Sequence, residues 1–194
     1  MHKNKLSNRD IALQSASTLF LTKGYQVTSM DDIVAHSSVS KTNIYYYFKS
    51  KEELLLVIVD RLISQYEQRI HHVLTQEDIT TPDKLARLLD ILTEEHEQRD
   101  YLGGCPFLTL YTQTAGESPA VAAKIQHFFE RQFQAVELLL ADGIARHEIK
   151  GDLPIRQTAA LIISSIEGAL FIAKASSRPT LFKDLTLALA LLLK

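Results

Sequence analysis

Three helix-opening signals crowded between Thr28 and Leu54 constrain this chain more than any other feature. Ser29-x-x-Asp32 has the form of a capping box: the hydroxyl accepts from a backbone N–H of the first turn, and the carboxylate reaches back to the capping residue. Ile33 and Val34 then take one apolar side. Ser37-Ser38-Val39 interrupts the pattern, and Ser40 caps a second short helix, Lys41 to Phe48. Ser50-x-x-Glu53 opens a third, longer one. Two short helices joined by a turn of three to four residues are the helix-turn-helix arrangement, in which the second helix enters the major groove of DNA.

The residues of that second helix suit the groove. Lys41, Thr42 and Asn43 occupy its first turn, where base edges are met. Asn pairs with adenine in a bidentate way, Lys bonds guanine, and the Thr methyl touches a thymine methyl. Tyr45, Tyr46, Tyr47 and Lys51, with Ser29 at the head of the preceding helix, are candidates for phosphate contacts, which set register without reading sequence. A small surface helix with tyrosines in a core is the bland alternative. Three consecutive tyrosines cannot all face one way, so part of it must also hold.

The rest of the N-terminal segment completes a recognisable series. A helix Ile11–Leu21 ends in Lys23-Gly24-Tyr25. Thr28-Ser29-Met30-Asp31-Asp32-Ile33 follows, then Val39-Ser40 and Tyr45-Tyr46-Tyr47-Phe48-Lys49-Ser50-Lys51-Glu52-Glu53-Leu54. This series resembles the TetR family of bacterial transcriptional repressors over about residues 7–60. Two positions depart from the family pattern: Ser38 and Thr42 stand where glycine is usual. Serine in a left-handed turn costs energy that glycine avoids, and Thr42 adds a side chain at the groove. The resemblance implies a DNA-binding head, a helical body that takes a small effector, and a dimer.

Bulk composition agrees with an all-α fold. Apolar residues make up 46% of the 194, with 7 Gly and 5 Pro, and helical periodicity dominates without strand alternation. Residues 1–51 carry 7 Lys+Arg against 3 Asp+Glu, a net +4; the other 143 carry 14 against 20, a net −6. The basic excess therefore sits on the helix-turn-helix segment, and the acidic remainder is repelled by DNA phosphate. Residues 1–51 are expected to form the DNA-binding domain and 52–194 a ligand-binding and dimerisation domain. No uncharged apolar run reaches the ~18–20 residues of a membrane span. The N-terminus has no apolar signal-peptide core. The single cysteine, Cys105, fits a reducing cytoplasm.

Helices are expected from Ser7 to Gly24, from Lys51 to about Val73, from Thr81 to about Arg99, and, after a break at Gly103-Gly104-Cys105-Pro106-Phe107, in a short stretch to about Thr114. Others follow from Ser118 to about Ile149, from Ile155 to Ser176 and from Thr180 to Leu193. The last two are apolar nearly all round, so they must be buried on every side, with a second copy of the chain as one covering layer. Ile163, Ser164, Gly168, Ala169, Leu187 and Leu191 are the candidates for that seam. The bland alternative is a helix central to its own subunit. A two-fold dimer presents two heads to two half-sites of a palindromic operator, and the family resemblance implies the same pairing of the last helices.

Ligand sites are mostly apolar with a few polar groups. Tyr66, Phe107, Tyr111, Phe128, Phe129, Phe133 and Phe171 are candidate walls for a small apolar or aromatic effector. His96, Gln113, His127, Gln132 and Glu167 are candidate polar groups. Phenylalanines at helical spacing also serve simply as core. The segment Leu102–Leu110 resembles drug-resistance-type repressors with a GCPF element in the ligand domain. Glu167, within an apolar helix, needs a partner across a dimer, a role in a pocket, or an edge facing water. Cys105 has no Lys, Arg or His within five residues and precedes a proline that lacks an N–H, so an inert thiol is favoured over a reactive one. No nucleophile–base pattern or zinc-ligand spacing is present, and no cofactor is called for. Two rivals remain to a repressor with an effector: a DNA-binding dimer without one, and a small α-helical thiol enzyme or ligand carrier.

Overall fold

The computed structural model describes residues 6–98, 101, 102, 104–178 and 180–194, the side chains of 92–98 excepted. The described residues are helical, without strands. The helices are α1 Asn8–Leu19, α2 Met30–Ser37, α3 Lys41–Tyr47, α4 Lys51–Leu74, α5 Thr81–Gln98, α6 Pro106–Thr114, α7 Pro119–Ala145, α8 Ile155–Ser176 and α9 Leu181–Leu193.

The first helix departs from expectation at its end. After Leu19 the chain continues as one π-helical turn, Phe20–Gly24, before Gly24 turns with φ 116°. This wider winding keeps Phe20, Leu21 and Gly24 buried, and Phe20 meets the edge of Tyr25 at 5.0 Å. At the other end of the chain α7 stops at Ala145, short of the expected Ile149, because His147 adopts a left-handed conformation (φ 58°) that no α-helix continues.

Two compact units divide the chain. The first comprises residues up to Ile63 together with Pro106–Ile125, and the second comprises Ser64–Cys105 with Gln126–Lys194. α4 spans this division, and α6 falls in the first unit.

In the first unit α1, α2 and α3 pack around Ala12, Ala16, Phe20, Ile33, Ile44 and Phe48, all at 1% exposure or less. α6 joins them through the π turn. In the second unit α5, α8 and α9 pack together, with Leu89, Ile162, Leu170 and Leu193 in the interior. Thr81 at the head of α5 donates its N–H to Glu148 at 2.6 Å.

By length and composition α8 is apolar enough to cross a membrane, which the sequence reading did not anticipate. Forty-four per cent of its most apolar stretch is buried within the subunit.

Candidate DNA-reading helix and effector body

The helix-turn-helix is fixed by its caps. Ser29 Oγ accepts from the Asp32 N–H at 3.1 Å, and Asp32 Oδ2 accepts from the Ser29 N–H at 2.8 Å, so the capping box expected at α2 is complete. These hydrogen bonds, foremost the one from the Ser29 hydroxyl, hold the Asp32 carboxyl well below the usual carboxylate range, and Lys23 adds a 3.0 Å ion pair. Ser40 caps α3 by accepting from the Asn43 N–H. Between them Ser38 closes α2 in the left-handed conformation (φ 56°, ψ 18°), the conformation for which glycine is usual. Ser29 itself is exposed, but its hydroxyl already serves the cap.

The cap and the core leave one side of α3 outward. Ile44 and Phe48 are buried one turn apart, with Val39 beside them. Lys41, Thr42, Tyr45, Tyr46 and Tyr47 are exposed, Tyr46 most of the three tyrosines at 73%. Asn43 is half-buried. Tyr46 and Tyr47 meet edge to face at 5.0 Å, which stiffens the pair. Lys41 pairs with Asp31 at 2.7 Å, and that hydrogen bond raises its pKa. Both members are exposed, so the pair is easily exchanged for another partner.

Lys51, a candidate for phosphate contact, is held by the head in the protein alone. Its Nζ donates to the carbonyls of Tyr25 (2.9 Å) and Thr28 (3.1 Å) and lies 4.2 Å from the centre of the Tyr25 ring. It ties the start of α4 to the loop before α2. Lys49 lies exposed just after α3; its ammonium donates to the Tyr45 and Tyr46 carbonyls and its backbone N–H to Glu53 Oε2 at 2.6 Å.

Gln113 was expected among the polar groups of an effector site. It lies within the first unit, where its Oε1 accepts the Tyr25 N–H at 2.5 Å and its carbonyl accepts from Gln26 Nε2 at 2.9 Å. Ser118 donates to Glu52 at 2.6 Å, and Lys124 pairs with Asp60. Arg9 stacks over Phe48 at 5.3 Å. Nothing local in the sequence signals these ties, since their partners lie far apart along the chain.

The candidate walls divide between the units. Tyr66, Phe128 and Phe129 form an aromatic cluster in the second, with Tyr66–Phe128 at 6.5 Å and Phe128–Phe129 at 5.4 Å, both edge to face. Tyr66 and Phe128 are buried; Phe129, Phe133 and Gln132 are half-buried. Phe107, buried, and Tyr111, exposed, belong to the first unit. Phe171 is 56% exposed and His127 is exposed, so neither faces the interior of its own subunit. The side chain of His96 lies outside the described residues.

The seam candidates also divide. Ile163 and Ala169 are buried in the subunit's own core, because they lie on the side of α8 that its own helices cover. Leu187 and Leu191 are exposed on α9, and Ser164 is exposed on α8. Among the described residues, nothing beyond its own turn of α8 comes within 4 Å of where a Cβ on Gly168 would stand.

Sequence and fold comparisons agree with this architecture. Residues 12–58 match the family model described as bacterial regulatory proteins, tetR family, and residues 81–189 match the tetracyclin repressor-like C-terminal domain. An HTH-type transcriptional regulator encoded in the lacX 3' region of Lactococcus lactis is 25% identical over 174 residues, covering 88% of this chain and 85% of that protein. The HTH-type transcriptional repressor ComR of Escherichia coli is 25% identical over 84% of this chain and 78% of its own length. A TetR transcriptional regulator from Chloroflexus aurantiacus superposes with a TM-score of 0.82 at 28% identity, covering 95% of this chain and 92% of that one. Capped α2–α3 head, helical body and family match over most of the chain lead to one assignment: this protein belongs to the TetR family of DNA-binding transcriptional regulators.

Proposed function

We propose that the chain is a cytoplasmic, homodimeric repressor that two copies of α3 hold on a palindromic operator, and that a small apolar or aromatic molecule bound in the body releases it. The outward face of α3 carries this reading. A lysine, a threonine and three tyrosines stand exposed on a helix whose opposite side is locked into the head core. Lys41, Thr42 and Asn43 are assigned to bases, and Tyr45, Tyr46 and Tyr47 to phosphates. Lys51 is assigned to the architecture of the head, on the strength of its two carbonyl bonds.

Repression accords with the printed names of relatives such as ComR of Escherichia coli. Pairing of subunits accords with an outward apolar stripe: Leu161, Phe171 and Ile172 on α8 and Leu187 and Leu191 on α9 are each at least 50% exposed. Contiguous apolar surface of this kind is rarely left to water. Effector binding accords with the Tyr66–Phe128–Phe129 cluster, and Phe133 lies on the same helix, α7.

The decisive measurement isolates the genomic DNA the purified protein binds. It then titrates the recovered operator with compounds that raise the melting temperature. An effector that weakens operator binding tenfold must itself bind tenfold more weakly to the DNA complex, a coupling of about 1.4 kcal/mol. Ligands that stabilise the protein but leave operator affinity unchanged would favour a dimer without an effector. Failure to retain any genomic sequence above background would remove the regulatory reading itself.

A further inference from the structure

Glu167 is the outstanding polar group of the body. Among the described residues its Oε2 is the one buried side-chain oxygen or nitrogen without a hydrogen-bond partner. It stands on α8 four residues after Ile163 and three before Leu170, both buried, so its side chain shares the inward side of that helix. Burial pushes its carboxyl upward in pKa, and a hydrogen bond with Cys105 opposes that shift.

The segment that brings Cys105 to this carboxyl is built for close approach. Gly104 has φ +76°, and a Cβ on it would fall 2.4 Å from the Leu170 carbonyl oxygen. The backbone at Gly104 therefore lies directly on α8, less than one turn from Glu167, at a separation only glycine permits. Cys105 follows, buried, and satisfies one side of the carboxyl. The other oxygen is left with nothing.

Among the described residues, no charged group is a cause of the Glu167 shift. α5 and α9 pack against α8. Their described titratable groups are Asp83, Lys84, Arg87 and Asp90 on α5, and Lys183 and Asp184 on α9; Lys174 lies two turns along α8 itself. Lys84 donates to the Leu74 carbonyl and Arg87 to Gln76. The upward shift of the Glu167 carboxyl comes from burial, with Cys105 opposing it. A buried acid with an unsatisfied oxygen is costly, and it persists where something else completes it.

We propose that Glu167 Oε2 is the polar recognition point of the effector site, and that the effector is an ammonium or amidinium group carried on an apolar or aromatic body. The inference rests on the reading that the body binds an effector, and it names that effector's chemical class. A cation supplies the missing hydrogen-bond donor to Oε2 together with a charge opposite to that of the carboxylate. Recognition by the carboxylate means that the site gives up the Glu167 proton whenever it binds the cation while protonated, so affinity falls as pH drops through the raised pKa.

The test uses the full-length protein without DNA and a panel of aryl-alkyl amines of one to three rings, starting with 1-naphthylmethylamine. Each is paired with its isosteric alcohol, and binding is followed by calorimetry between pH 5 and 9. The wild type is expected to prefer the amine over the alcohol by about tenfold or more, the scale of a hydrogen bond to a charged group. E167Q is expected to lose that preference and its pH dependence while still binding the alcohol. Circular dichroism verifies the helical fold of the variant, and E167D, which keeps the charge, should retain part of the amine preference.

Alcohols that bind wild type as tightly as their amines would overturn the proposal and leave the effector reading standing. A panel in which nothing binds would also overturn it, while the effector reading stands or falls with the operator titration. A rise in monomer fraction for E167Q with an unaltered amine preference would assign the carboxyl to the subunit seam and would likewise overturn it.

Discussion

At the scale of single residues, the head separates side chains that face outward from those consumed in holding it together. Asn43 and Lys51 are the sharpest contrast. Asn43 sits in the first turn of α3 with its backbone N–H held by Ser40, so its side-chain amide remains for a base. Asn43→Ala is expected to relax preference at one base pair by about 1–3 kcal/mol, measured by binding isotherms on operators altered one position at a time. Equal weakening on every duplex would remove Asn43 from base reading. Lys51→Ala acts elsewhere. Two carbonyls and an aromatic face lose their partner, so the head should lose about 1–3 kcal/mol of stability. The salt dependence of operator binding should stay as it is, because no phosphate contact is removed. A salt slope shallower by about one unit would return Lys51 to the phosphate backbone.

At the scale of elements, what could be read from the sequence was what depends on near neighbours. Ser29, Asp32 and Ser40 signal helix starts because capping partners stand three residues apart, and the structure forms those bonds. The strained turn at Ser38 was legible as a missing glycine, and its φ is 56°. The π turn Phe20–Gly24 was not legible, since a wider winding leaves no mark in a 3.6-residue pattern. Nor was the bond between Gln113 and Tyr25, whose partners are 88 residues apart. The Cys105–Glu167 contact was hidden for the same reason, although each residue stood out alone. Gly104 is the element-scale test of that contact. Gly104→Ala places a methyl against the Leu170 carbonyl at positive φ. It should cost about 2–4 kcal/mol in chemical denaturation. Gly116→Ala, where the same methyl meets open space, should stay within about 0.5 kcal/mol. Similar losses for the two would mean that the close approach at Gly104 contributes nothing to the fold.

At the scale of the whole molecule, the proposed dimer can be probed without disturbing the subunit. Gly168 has open space above it within one chain, so Gly168→Leu should fold normally and be noticed only by a second copy. Overpacking of that kind costs about 1–3 kcal/mol, enough to shift the dimerisation constant by roughly tenfold to a hundredfold. Sedimentation at micromolar concentration measures it, with wild type expected to run as a dimer and the variant partly as a monomer. A variant that pairs as tightly as wild type would move the seam off the middle of α8.

The exposed leucines of α8 and α9 carry a consequence for gene control. If an operator is filled only by paired subunits, its occupancy at low abundance grows with the square of the number of chains in the cell. Halving synthesis would then empty about three-quarters of the weakly filled sites, a mass-action result. Leu161, Leu187 and Leu191 would in this way make the cell's own dosage of the protein a signal, before any small molecule arrives.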